Sequence, residues 1–276
     1  MALITPSIRV EAPSPAAAGG DVLVLAAPGV EPLDVPVIPE AGGGKGRPPP
    51  AQVVVWGDTV DAVDQGDAPA AWLAKFLEQP GVRLVRMANN ARRPVEDGHT
   101  DGPPGTFEVS FADGYPWLLA SETSLANLNK EMAAEAAAAT AAAGRDAPRV
   151  RPPVFDMRRF RPNVVVAAAD GGDALPPWAE DAWTRLSVAP AGDDAPVRFQ
   201  VAKPCDRCKV PTVLPDEGAF EGRAAVDVYN RTMGRLRAVG RDVMFGINLV
   251  CDSPVGATVS VGDVVTVTTA AANGGA

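Results

Sequence analysis

Over the first hundred residues, apolar positions come in short runs broken by turn formers. Segments 1–10 (MALITPSIRV), 21–29 (DVLVLAAPG), 33–39 (LDVPVIP) and 52–63 (QVVVWGDTVDAV) are rich in aliphatic and β-branched residues and bounded by Gly, Pro or Asp, a pattern that predicts strands. AGGGKGRPPP at 41–50 separates two of them and reads as an exposed loop. One stretch has a different period. In APAAWLAKFLEQ (68–79), Trp72, Leu73, Phe76 and Leu77 recur at helical spacing, and Pro80 with Gly81 ends the run. GVRLVRM (81–87) is the next predicted strand, and residues 88–105 are loop by composition and the natural boundary between two regions.

Beyond that boundary, FEVSFADGYPWLLAS (107–121) predicts a strand, a turn at Asp113 and Gly114, and a helix capped by Ser121. Leu125, Leu128 and Met132 form that helix's buried stripe. The alanine-rich run 133–144 extends it to a stop at Gly144. A Pro- and Arg-rich loop (145–160) leads into a buried strand, NVVVAAA (163–169). VRFQVAKP (197–204) is a strand followed by a Cys-x-x-Cys turn. A helix around 224–237 and two closing strands, 242–252 and 260–269, complete the chain. Trp178 and Trp183 read as core packing. Many short strands with few helices indicate an α+β, barrel-like architecture.

The 276 residues are enough to bury a substantial core in one large or two small domains. No apolar run approaches the roughly 20 residues that cross a bilayer, and the N-terminus lacks the features of a signal peptide. A chain without a membrane segment or export signal, and with three cysteines, is expected to be cytoplasmic with reduced thiols. The formal charge of −9 excludes nucleic acid as the main ligand, since that binding needs a dominant basic surface. A monomer is the default expectation.

Local chemistry changes this picture. KPCDRCKVPTV (203–213), RFRPNVVV (159–166) and FGINLV (245–250) combine two thiols with Lys203, Arg207, Lys209, Arg159 and Arg161. Positive charge lowers thiol pKa and holds phosphate, so the residue types describe a soft-metal site beside an anion-binding surface. Arg161 and Asn163 precede an apolar strand, where a guanidinium fork and an amide can bond a pterin or phosphate edge. Asn248 interrupts an otherwise apolar strand and needs a partner if buried. The turn at Asp113, Gly114 and Tyr115 can present backbone groups to a ligand. Three other readings stand beside this one. Cys205, Cys208, Cys251 and His99 are just enough for a Cys3His zinc set, the Cys-x-x-Cys is a candidate redox pair, and all three thiols can be inert and buried.

In these motifs the chain resembles the MOSC-domain proteins, and among them the mitochondrial amidoxime-reducing component (mARC) family of molybdenum enzymes. The resemblance runs in order through DGYPWLLASETSLANLN, RFRPNVVV, EDAW, KPCDRCKVPTV, FGINLV and SVGDVV, covering most of 107–268. Upstream, VLAAPGV, residues 55–77 and VRLVRM are similar to the family's N-terminal β region. The Ala-, Gly- and Pro-rich insertions at 41–50 and 133–157 depart from its pattern.

The resemblance implies a MOSC β-barrel-like fold over residues 95–270, with a partial N-terminal β-rich region over 1–94. It implies a molybdenum cofactor (Mo-molybdopterin), with Cys208 as catalytic residue and thiolate ligand to the metal. Arg161, Asn163, Asp206, Arg207, Tyr115 and Asn248 would hold the cofactor, with Cys205 beside the ligand. A Lys-Ser pair and an arginine that grip the cofactor phosphate in the family lie upstream of the point where this chain is expected to begin.

The activity implied is reduction of N-hydroxylated compounds such as amidoximes, and of nitrite. Electrons would come from cytochrome b5 and its NADH-dependent reductase. An acidic partner of that kind requires a local basic face, with Arg158, Arg159, Lys203, Arg207, Lys209, Arg235, Arg237 and Arg241 as candidates. The alternative is a carrier of molybdenum cofactor or sulfur without turnover. The absence of a pyridoxal-phosphate domain argues against a complete cofactor sulfurase. Family members anchored at the mitochondrial outer membrane make that location the alternative to a cytoplasmic one.

Overall fold

The structure is a computed structural model that describes residues 2–10, 21–36, 50–143, 149–189, 195–254 and 256–269. Residues 41–49 of the predicted 41–50 loop and the stop residue Gly144 lie outside them, while Pro50 opens a strand. The chain divides into two compact units. One takes residues 1–93 with 110–113 and 215–218, and the other 94–109, 114–214 and 219–276.

The first unit holds two three-stranded antiparallel sheets, β1 (Thr5–Arg9), β2 (Val22–Ala27) and β3 (Val30–Pro36), then β4 (Pro50–Val55), β5 (Asp58–Asp64) and β6 (Val85–Met87). Helix α1 (Asp67–Leu77) lies between β5 and β6 in the chain and ends where Glu78 turns left-handed at φ 52°. Its Leu73 is buried, and the Trp72 indole N–H donates to the Glu31 carbonyl at 2.7 Å. Arg83 donates to both carboxylate oxygens of Asp64, which holds that carboxyl below its ordinary pKa.

The second unit is built on a sheet of β7 (Trp117–Ser121), β8 (Val164–Val166), β9 (Trp183–Ala189), β10 (Val197–Asp206), β11 (Ala238–Val239), β12 (Asp242–Cys251) and β13 (Val264–Thr269). The path runs β13-β9-β10-β12-β7-β8, with β11 hairpinned onto β12. All pairs are antiparallel except β7 with β8, which the long helix α2 (Glu122–Ala143) connects. Helix α3 (Arg223–Leu236) lies beside α2, and Arg231–Glu135 and Arg235–Glu131 ion pairs link the two. No helix among the described residues is long and apolar enough to cross a membrane. The mixture of helices and curled sheet is α+β, as the alternation of patterns predicts.

Two apolar clusters bury the sheet. Leu128, Met132 and Ala136 of α2 and Val228, Tyr229 and Met233 of α3 pack with Phe155, Phe160 and Phe245. Leu119, Val166, Trp183, Leu186, Phe199, Ile247 and Leu249 form the second. The helical stripe read at Leu125, Leu128 and Met132 is therefore core, with Leu125 partly buried. Trp183 also packs in the core. Trp178 is half-buried, with Arg237 stacked over its ring.

Three expectations are corrected. Residues 107–115 make no strand, only a single bridge between Pro94 and Glu108. Arg93 takes the carbonyls of Ser110, Ala112 and Asp113, so a side chain satisfies what a ladder would have bonded. Ser121 does stand directly before α2, yet its hydroxyl pairs with Thr123 Oγ1 at 2.8 Å instead of capping the backbone. The Cys-x-x-Cys is not a turn. β10 continues through Asp206, and the Arg207 N–H still donates to the Val243 carbonyl at 2.9 Å.

Gly246 sits where β12 meets β7, with φ +77°, and an added Cβ would lie 2.6 Å from the Leu119 carbonyl oxygen. Gly246→Ala is expected to destabilise the protein by ~2–4 kcal/mol, read by urea denaturation, because backbone strain and steric overlap coincide.

Glu180 is fully buried, accepting a hydrogen bond from the Ser124 hydroxyl at 2.9 Å while its Oε1 has no partner among the described residues. Burial raises its pKa above the ordinary 4.5, outweighing the lowering effects of Ser124 and Arg237. The folded state thus holds a proton that the unfolded chain releases, and stability falls as pH rises from 4.5 towards the folded value. Glu180→Gln is expected to flatten this fall in Tm with pH. A slope identical to wild type would refute the assignment.

Candidate functional site

β10 ends in the segment that carries the thiols, and Pro204 marks a register shift in its pairing with β12. A proline donates no ladder bond and so is found at such irregularities. Cys205 is half-buried and receives an Arg207 Nη1 bond at 3.1 Å. Cys208 is exposed, and its sulfur accepts the Val210 N–H at 3.4 Å. Cys208 is therefore the accessible thiol, set at a strand end with a backbone donor directed at it.

The strand on which the motif lies removes the thioredoxin-like reading, which needs a Cys-x-x-Cys opening a helix. The zinc set is likewise not assembled. Among the described residues no three His, Cys, Asp or Glu are grouped to hold a metal ion. Cys251 belongs to the packing around Phe199 and Leu249, and His99 faces Glu96 at 3.7 Å.

Arg207 runs inward. Its Nη2 donates to the Phe160 carbonyl at 2.8 Å, its guanidinium lies 5.6 Å from the Phe160 ring, and its Nε is buried without a partner among the described residues. This joins the Cys208 segment to the residue before Arg161. Arg161 is exposed, and its backbone is left-handed at φ 56°, a strained conformation for a non-glycine residue. No partner engages its side chain among the described residues. Asn163 pairs with Leu118 twice, accepting its N–H on Oδ1 and donating its own N–H to its carbonyl, each at 2.8 Å. Asn163 so links the heads of β7 and β8 through one side-chain and one backbone bond, and its side-chain NH2 has no partner among the described residues.

Asn248 lies on β12 of the sheet, and Tyr115 two residues before β7. Asn248, half-buried, is opposite Lys203 on β10 and Leu118 on β7, so these side chains share a face. Tyr115 is buried with Val95, Val109 and Val250, the Lys203 ammonium 5.7 Å from its ring centre. Its hydroxyl has no partner among the described residues, and burial together with the negative charge of Glu96 pushes its pKa up to about 12. Asp206 is exposed at the end of β10.

The expected basic face is mostly spent inside the molecule. Arg159 is buried against Glu221, Arg237 forks onto both oxygens of Asp181, Arg235 pairs with Glu131 and Lys203 with Glu96, while Arg158 holds Asp156. Of the eight candidates, only Lys209 and Arg241 are exposed without an ion pair among the described residues. Sequence reading missed Glu221, Asn129 and Glu180. Asn129, which bonds both backbone groups of Phe155, was detectable as a polar residue on an apolar helical stripe. Glu221 gave no local signal, because its partner is 62 positions away.

The arrangement fits the cofactor that the resemblance implies. It offers one exposed soft donor, Cys208, and exposed Arg161 and Asn163 amide donors. The buried Arg207 Nε and Tyr115 hydroxyl are polar atoms without a partner among the described residues. Iodoacetamide is expected to alkylate Cys208 before Cys205 and Cys251, by peptide mass spectrometry, and Cys208→Ser to abolish the fast phase. Faster modification of Cys205 would contradict this geometry.

Comparison with known proteins agrees with the motif order. The model of the MOSC domain matches residues 106–266. Mitochondrial amidoxime-reducing component 1 of Homo sapiens is 27% identical over 254 residues, covering 88% of this chain and 62% of that protein. Mitochondrial amidoxime reducing component 2 of Bos taurus is 25% identical over 207 residues, covering 75% and 51%. The molybdenum cofactor sulfurase of Danio rerio is 29% identical over 190 residues, covering 69% of this chain and 20% of its own. The chain thus spans about half to three fifths of the two amidoxime-reducing components. With more than half of its residues matched by the family model, the chain belongs to the MOSC-domain family.

Proposed function

We propose that this protein is a molybdenum-cofactor-dependent reductase of N-hydroxylated compounds, amidoximes foremost, and of nitrite. The observation that carries the reading is the exposed Cys208 thiol, held by the Val210 N–H and joined through Arg207 to the segment that presents Arg161. The similarity to two amidoxime-reducing components supports it. Residues 95–270 would form the MOSC domain, and 1–94 part of the N-terminal β-rich region.

In this reading Cys208 supplies the thiolate that ligates the metal, a soft donor suited to molybdenum. Arg161 and the free NH2 of Asn163 bond the pterin and its phosphate, Arg161 as a planar fork. Asp206, Arg207, Tyr115 and Asn248 complete the contacts. When bound, the cofactor supplies the two-electron redox chemistry that side chains cannot. The protein orients the substrate at the open end of β10, where exposed Lys209 and Val210 border Cys208 and water has access to provide protons. Electrons come from cytochrome b5 and its NADH-dependent reductase, with Lys209 and Arg241 as the cations free to meet an acidic partner. The protein works as a monomer, either in the cytoplasm or at the mitochondrial outer membrane.

A second reading has its own support in the similarity to a molybdenum cofactor sulfurase. Here the same site holds or passes on cofactor or sulfur without turnover.

Purified from cells that make the cofactor, the wild type is expected to carry about one molybdenum per chain and to reduce benzamidoxime with NADH, cytochrome b5 and its reductase. Cys208→Ala is expected to abolish turnover, and Arg161→Ala to weaken cofactor retention about 10–100-fold. Molybdenum without turnover would favour the carrier reading, and no molybdenum in the wild type would reject the reductase and any carriage of the molybdenum cofactor.

A further inference from the structure

Arg159 is a cation withdrawn from water, with only 6% of its surface exposed. Its Nη2 donates to Glu221 Oε2 at 2.8 Å and its Nη1 to the Pro211 carbonyl at 3.3 Å. The guanidinium lies 4.3 Å from the centre of the Phe155 ring, and Tyr229 of α3 stacks on the same ring at 4.8 Å. Asn129 of α2 fixes the Phe155 backbone from the other helix, accepting its N–H at 2.8 Å and donating to its carbonyl at 2.9 Å. Both helices of the core thus hold the platform on which Arg159 rests.

The consequence falls on Cys208. On its N-terminal side Arg207 is bonded to the Phe160 carbonyl, and on its C-terminal side the Pro211 carbonyl is bonded to Arg159. The two anchors are consecutive residues, and the next, Arg161, carries the strained backbone and the free guanidinium. Around Pro211 the turn closes on itself, with the Thr212 hydroxyl donating to the Lys209 carbonyl at 2.7 Å. The Glu221 N–H donates to the Thr212 carbonyl at 2.7 Å, so the partner of Arg159 is tied to the same turn.

We infer that Arg159 and Glu221 are a positioning pair that fixes the Cys208 thiol relative to Arg161. The inference rests on the reading of Cys208 as the metal ligand. The pair acts through the turn 209–212 and touches neither metal nor substrate. Lysine at 159 would keep the charge but lose the planar fork that reaches a carboxylate and a carbonyl together. Glutamine at 221 would keep the shape and leave the buried guanidinium without its counter-charge.

The test is hydrogen–deuterium exchange on the whole chain, prepared from cells that make no cofactor, with wild type beside Arg159→Lys and Glu221→Gln. The amides of residues 207–213 are expected to exchange about tenfold or more faster in both variants, while α2 and β9 keep wild-type protection. Unchanged exchange at 207–213, or a rise spread evenly over α2, α3 and the sheet, overturns the pairing. Should Arg159→Lys fail to fold, Glu221→Gln decides by the same criterion. Molybdenum analysis of the wild type from cofactor-making cells separates this from the reading beneath it. Faster exchange at 207–213 with no molybdenum in the wild type keeps the brace and removes Cys208 as ligand. Molybdenum in the wild type with unaltered exchange in the variants does the reverse.

Discussion

Two guanidinium groups drawn beneath one exposed thiol are the constraint on which the candidate site depends. A buried cation is tolerated only where carboxylates, carbonyls and aromatic faces replace its water. Arg159 finds Glu221, the Pro211 carbonyl and the Phe155 ring, and Arg207 finds the Phe160 carbonyl, the Cys205 sulfur and the Phe160 ring. Meeting those requirements brings the segment 155–161 against the end of β10. Charge-assisted bonds flank Cys208 on both sides, and its thiol stays exposed.

The aromatic core supports this from below. Phe160 stacks on Phe245 with ring centres 3.8 Å apart, and Phe155 stacks on Tyr229. Because Phe160 and Phe155 belong to the segment that carries Arg159 and Arg161, the core and the site are placed by the same residues. β12 contributes Phe245 to that core, and Gly246 beside it allows the backbone of β7 to approach. The close β7–β12 contact in turn sets Leu118, whose backbone is the partner of Asn163. Packing, strand pairing and the polar groups of the candidate site are one connected system.

Charge is used locally. The chain carries a formal charge of −9, yet its arginines near the site, Arg161 excepted, are matched to acidic residues or carbonyls. Such pairs organise elements and contribute little long-range field, so association with an acidic partner would fall to exposed Lys209 and Arg241. This also explains why counting basic residues in the sequence overstates the basic face. A cation whose charge is met by a neighbour at contact distance is not available to a second macromolecule.

What the sequence determined by itself was most of the elements, though not the strand at 183–189, and the identity of the motifs. Periodicity in 68–79 and 122–136 marked helices, β-branched runs marked most strands, and motifs in order carried the likeness to MOSC-domain proteins, because these signals are local or depend only on residue order. Cys208 and Arg161 were likewise legible as residue types beside basic neighbours. The tertiary structure alone decided that the Cys-x-x-Cys lies at a strand end and that residues 110–113 are held by Arg93. It also decided that Cys251 and His99 stand apart from the other thiols, and that Arg159 faces Glu221. Each of these depends on partners distant in the chain or on which way a side chain turns, and a linear pattern of polarity holds no record of either.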